Sequence, residues 1–70
     1  MIPLTLANIQ EKNTIKRIGG NPETKRHLEN LGFLPDTEIT VVTKNNGNVI
    51  VNVKDCRVAI SETLAKKIMI

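Results

Sequence analysis

Asn46-Gly47 stands between two alternating runs, "TEITVVT" before it and "VIVNV" soon after it. A two-residue hairpin turn of type I′ needs positive φ at both central residues, and Asn-Gly adopts that shape most readily. The first run aligns Ile39 and Val41 on one face, and the second aligns Val49, Val51 and Val53. Lys54-Asp55 reads as a second tight turn, after which "CRVAI" aligns Cys56, Val58 and Ile60. Residues 37–60 are therefore expected to form a three-stranded antiparallel meander. Three strands alone would leave long unpaired edges. Curling the rest of the chain against them, as a small barrel, removes that problem.

The flanking segments supply the rest. "MIPLTLA" puts Ile2, Leu4 and Leu6 in phase with period two and reads as a half-buried strand, started or edged by Pro3. "NIQEKN" reads as a polar loop, and "TIKRIGG" as a further strand of mixed phase ended by Gly19-Gly20. "NPETKRHLENLG" is the clearest helix: Asn21 is the N-cap, Pro22 the first helical residue, and Glu23 favours the positive end of the dipole. Thr24, Leu28 and Leu31 form its inward stripe, and Gly32 stands where a left-handed residue ends the helix. Phe33 then follows at a position that packs back on Leu28. Ser61 caps a short last helix, "ETLAKKI", with Leu64, Ala65 and Ile68 turned inward, and Met69-Ile70 docks as a short strand. The expectation is a mainly β chain: a small barrel of about five short antiparallel strands, one inserted helix and one short C-terminal helix.

Length and charge narrow the function. Seventy residues form a single domain, 1–70. With ordering costing about 1.5 kcal/mol per residue, a chain this small has little core to give up to a large cavity. One cysteine excludes an internal disulfide, which suits a reducing compartment. The N-terminus lacks a basic start, and no apolar run approaches the roughly 20 residues of a membrane span. A soluble cytoplasmic protein is expected. The charge of +3 is spread in pairs, Lys16-Arg17, Lys25-Arg26 and Lys66-Lys67, as on a solvated surface with a weak preference for an acidic partner.

Chemistry is scarce in this sequence. The single His, His27, lies between Arg26 and Leu28 as an exposed helix residue, and Cys56 is in phase with Val58 and Ile60 as a buried small hydrophobe. No nucleophile stands beside a base, so an enzyme is not expected. No CxxC, HxxxH or calcium-type loop is present; Asp36 and Glu38 share a face and could weakly hold a hard cation, but a solvated rim pair is far more common. No cofactor and no metal site are expected. Base stacking needs aromatic platforms, and Phe33 is the chain's one aromatic residue, so nucleic acid is not expected either.

At this point the residues resemble a known family. "KRHLENLGFLPDTEITVV", followed by "GNVIVNV", "RVAI" and "ETLAKKIMI", is similar to the FeoA family, ferrous iron transport protein A. The family pattern Arg-x-Leu-x-x-Leu-Gly-Phe-x-Pro-Gly-Thr, closing in Ala-x-x-Ile-x-Val, is filled by Arg26, Leu28, Leu31, Gly32, Phe33, Pro35, Thr37, Ala65, Ile68 and Ile70. Asp36 replaces the family's Gly, which suits a type I turn better than a type II, and Asp55 replaces a hairpin Gly. The resemblance implies an SH3-like barrel in the cytoplasm, acting by contact with FeoB, a GTP-dependent ferrous iron permease. It also leaves open an SH3-like adaptor that binds a peptide or an iron-dependent repressor, a direct transition-metal binder of ferrous iron, and weak homo-oligomerisation. A stimulating Arg for GTP hydrolysis could be Arg17, Arg26 or Arg57. The candidates for partner contact are Phe33, Leu34, Pro35 and Arg26; Asn21, Leu28, Leu31, Gly32, Ala65 and Ile68 are the structural motif.

Overall fold

A computed structural model describes residues 1–70. In chain order, a 3₁₀ helix Leu4–Leu6 is followed by strands β1 (Lys12–Thr14) and β2 (Arg17–Ile18), and helix α1 (Pro22–Asn30). Then come β3 (Glu38–Asn45), β4 (Asn48–Val53), β5 (Cys56–Ser61), helix α2 (Glu62–Ala65) and β6 (Ile68–Met69). The meander is present and gains a fourth member, giving the antiparallel sheet β1-β3-β4-β5, while β2 and β6 pair separately. The strands thus form two sheets around one core, not a single closed barrel.

Both hairpins close as two-residue turns with positive φ at each central position: Asn46 and Gly47 at 43° and 82°, Lys54 and Asp55 at 50° and 62°. Asn45 pairs with Asn48 and Val53 with Cys56 across them. Register then carries Ile39, Val41, Val49, Val51, Val53 and Ile60 to one face, each no more than 4% exposed. A register shift between Val41 and Thr43 bends β3. Gln10 fits against it with φ of 69°, its N–H donating to the Val41 carbonyl at 2.7 Å.

Three expectations change at the N-terminal side. Ile2, Leu4 and Leu6 do not share a buried face: Leu4 is fully buried, while Ile2 is 44% and Leu6 66% exposed. Ile2 exchanges backbone hydrogen bonds with Ile70, but Pro3 has no N–H with which to extend the ladder, and its carbonyl accepts from Leu6 to start a 3₁₀ turn. The working period is therefore three, with Leu4 and Ala7 both buried. Lys44 holds the end of this turn, its Nζ donating to the carbonyls of Thr5 (2.7 Å) and Ala7 (3.1 Å). Second, part of the supposed polar loop is strand: Lys12, Asn13 and Thr14 pair with Thr40, Ile39 and Glu38. Third, the mixed phase of "TIKRI" has a cause. Ile15 N–H donates to the carbonyl of Thr37, just before β3 of the first sheet, whereas Lys16 N–H donates to that of Met69 in the second. The strand changes sheets between them, so Ile15 and Ile18 are both buried although three residues apart.

At the C-terminal side Ser61 Oγ accepts from Leu64 N–H as expected of a cap, but α2 ends at Ala65. Ile68 points inward from β6, not from the helix. Phe33, Leu4, Ile15, Leu28 and the strand residues form one core of 15 buried side chains, with Val58 and Leu64 packed partly against it.

The second hairpin carries Lys54 in a backbone region that costs an ordinary side chain about 1–2 kcal/mol, while Asp55, like Asn, enters it more readily. Replacing them by Asn and Gly, as the first hairpin has, is expected to raise the unfolding free energy by about 1 kcal/mol after the extra chain entropy of Gly. Urea denaturation of the double variant checks this; an unchanged or lower midpoint contradicts it.

Candidate functional site

The residues marked as a contact surface lie around the end of α1. Asn21 Oδ1 accepts from Thr24 N–H at 2.8 Å, starting the helix. Leu31 is the C-cap, Gly32 takes φ of 103°, and two reversed hydrogen bonds close the end: Gly32 N–H to Glu29 (2.9 Å) and Phe33 N–H to Leu28 (3.0 Å). This is the Schellman arrangement, and it turns Phe33 back into the protein. Phe33 is fully buried, so it offers a partner nothing, and its place among contact residues is corrected. Leu28 is equally buried, but Leu31 is 37% exposed, because the stripe of so short a helix centres on Leu28.

Beyond the helix, Leu34 is half-buried, and Pro35 and Asp36 are exposed. Thr37 N–H donates to the Leu34 carbonyl at 3.2 Å, with Asp36 at φ of 68°. The turn keeps positive φ at its third residue, the type II shape, although Asp stands there; the expected type I turn is corrected. Arg26 is exposed on the helix. Of the four proposed contact residues, Arg26 and Pro35 are at the surface, Leu34 is partly so, and Phe33 is core. Ala65 and Ile68 are fully buried.

Cys56 also departs from expectation: it is exposed although in phase with Ile60. It opens β5, an edge strand, directly after the turn, and nothing packs over it. His27 is exposed on α1. No three side chains among His, Cys, Asp and Glu converge anywhere. Arg17, Arg26 and Arg57 stand on three different elements, β2, α1 and β5.

A more coherent surface appears on the outer face of the larger sheet. Register brings Lys12, Thr40, Asn52 and Arg57 into one row across all four strands. Arg57 Nε donates to Asn52 Oδ1 at 3.4 Å. Thr37, Glu38, Lys54 and Asp55 extend the row into a groove of about 750 Å³ lined by no hydrophobic residue. Sequence reading could place Thr40, Asn52 and Arg57 outward by alternation, but it missed Lys12, because an all-polar "KNT" carries no strand period. Near the N-terminus the apolar side chains of Met1, Ile2, Leu6 and Ile9 are each 44–74% exposed.

The two sheets, the helix inserted between β2 and β3, and the buried turn at Phe33 define a small SH3-like β-domain. A family model described as the FeoA domain matches residues 2–70, and the chain belongs to that family, the ferrous iron transport protein A family. A protein of Methanocaldococcus jannaschii named as an Fe(2+) transport protein A is 31% identical over all of this chain and 85% of its own length. The crystal structure of an iron uptake regulatory protein, FeoA, superposes with a TM-score of 0.89 at 26% identity, covering 97% of this chain and 92% of that one. The zinc complex of Stenotrophomonas maltophilia FeoA, described as a procaryotic SH3 domain protein, gives 0.84 at 21% identity over 99% and 88%.

Two substitutions separate the core role from the surface role. Phe33→Ala is expected to cost about 3–5 kcal/mol of unfolding free energy, whereas Arg26→Ala stays within about 0.5 kcal/mol. Thermal unfolding of both checks this; a Phe33→Ala protein of near-normal stability contradicts the buried placement.

Proposed function

We propose that this chain is a cytosolic accessory protein of ferrous iron uptake, acting by protein–protein contact with a FeoB-type, GTP-dependent iron permease. The observation that carries the reading is the FeoA family match over residues 2–70. The shape of the molecule supports a contact role over a catalytic one. Small-molecule sites are concave and mostly apolar with a few placed polar groups. The largest concavity here is lined entirely by polar residues and is open across a sheet. Such a face suits a polar partner surface better than a small substrate. No helix is long and apolar enough to cross a membrane, so in this reading the permease supplies the membrane passage.

The chain needs no cofactor of its own in this role. Arg17, Arg26 and Arg57 lie on separate elements, and nothing singles out one of them for the partner's nucleotide. Pro35, Leu34 and Arg26 remain contact candidates on the helix side, and the Lys12–Arg57 row is the candidate on the sheet side.

Deleting the gene is expected to lower ferrous iron uptake, and the tagged chain is expected to retain the cytosolic part of the permease in a pull-down. Normal uptake in the deletion strain, with no retention, overturns the reading. Equilibrium dialysis against micromolar ferrous iron is expected to leave the chain without bound metal. One retained equivalent would replace the contact role by that of a direct metal binder.

A further inference from the structure

The larger sheet has two edges, and they are not alike. The β1 edge is three residues long, carries Lys12, and is abandoned at once when the chain crosses to the second sheet. Short, charged edges of this kind resist pairing with other chains. The β5 edge is six residues long and in unbroken register with β4, without a bulge or a proline.

Backbone direction along β5 follows from its turn. In a two-residue hairpin the flanking residues exchange hydrogen bonds, and the pattern alternates along the ladder. Cys56, Val58 and Ile60 therefore bond to Val53, Val51 and Val49 of β4. Arg57 and Ala59 lie between them, so their N–H and C=O groups point away from the sheet. Both residues are exposed, and β4 is the only strand that pairs with β5.

The side chains beside this open ladder have a definite chemistry. On the outer face stands Arg57, next to a groove that holds Lys12 and Lys54 against Glu38 and Asp55. On the inner face, Val58 is only partly covered and Cys56 is exposed, although both are in phase with the core residue Ile60. A strand added here would place alternate residues beside Arg57 and beside Val58. Opposite charges and paired apolar groups across neighbouring strands are the stabilising combinations.

We infer that the β5 edge, through Arg57 and Ala59, accepts an extended segment of a partner protein whose residues alternate acidic and apolar, extending the four-stranded sheet to five. The inference goes beyond the reading above, since it holds whichever protein carries the segment. Main-chain hydrogen bonds give such strand addition its affinity, and alternate side chains give it specificity. A second copy of this chain is a poorer occupant. Of the two registers that overlap most of β5, self-pairing about Ala59 sets Arg57 opposite Ser61 and self-pairing about Val58 sets it opposite Ala59, so in neither does an acid stand opposite it. The net charge of +3 also disfavours self-association.

An NMR titration of the full chain with two synthetic peptides tests this: acetyl-Glu-Val-Glu-Val-Glu-amide and acetyl-Lys-Val-Lys-Val-Lys-amide. The acidic peptide is expected to shift the Arg57 and Ala59 amides, slow their hydrogen exchange, and bind about fivefold or more tightly than the basic one. Arg57→Glu is expected to invert that order. Ala59→Pro removes one outward N–H and is expected to abolish binding while core resonances stay in place; if that variant does not fold, Arg57→Glu decides. Equal binding of both peptides overturns the inference. So does a response confined to Lys12, Thr40 and Asn52 without protection of β5, which would mean a polyanion lying across the face. Protection of β5 that rises with protein concentration alone would assign the edge to a second copy. No response at millimolar peptide would make Arg57 an edge guard and nothing more.

Discussion

The left-handed turn at Gly32 is the constraint on which the rest of this small fold depends. With φ of 103°, it lets Phe33 N–H reach back to the Leu28 carbonyl and sends the Phe33 ring inward. A side chain at that position would have to adopt a backbone region that L residues enter only at a cost. Phe33 and Leu28, both fully buried, then fasten α1 to the strands. The same corner delivers the chain to β3 through the Leu34–Thr37 turn. Asp36 N–H also donates to the Ile15 carbonyl at 2.7 Å, tying in the segment that crosses between sheets. One short stretch thus joins the helix and both sheets. In a domain where 15 side chains make up the whole core, no other residue replaces the largest of them.

Features that depend on local chemistry were legible before the structure. The Asn46-Gly47 and Lys54-Asp55 turns, the Asn21 and Ser61 caps and the Gly32 stop are set by the residues at those positions, and each is present. Apart from the Pro35-Asp36 turn, where Asp takes the positive φ expected of Gly, what failed depends on partners distant in sequence. "KNT" becomes a strand only because β3 lies beside it. Ile2, Leu4 and Leu6 alternate like a strand, but Pro3 and the reach of Lys44 make the segment a 3₁₀ turn. Cys56 has the phase of a core residue and lacks the cover, since burial at an edge depends on what packs beyond it. The contact residues were misjudged for a related reason. The most recognisable residue of the chain, Phe33, is recognisable because the fold requires it.

That distinction bears on function. The residues that carry the family resemblance are largely those that build the corner and the core. The surfaces free to meet a partner are Arg26, Leu34 and Pro35 beside the helix end, the polar row from Lys12 to Arg57, the open edge of β5 and the exposed N-terminal apolar side chains. Their side chains can change without loss of the fold, and so they carry little signal in a single sequence. Ferrous iron transport is reached through the family, whereas the proposed contact surfaces rest on exposed side chains of the helix side and the strands.

The claim that the Gly32–Phe33 corner holds the whole domain together is tested most directly by native-state hydrogen exchange. Amides that open only when the whole protein unfolds share its unfolding free energy, while locally frayed ones open more easily. The account predicts that the Phe33 amide exchanges with the same free energy as Val49 and Val51 in the central strand, within about 0.5 kcal/mol. A Phe33 amide that exchanges several kcal/mol more easily, with the strands still protected, would contradict it and make the corner an appendage of the sheet.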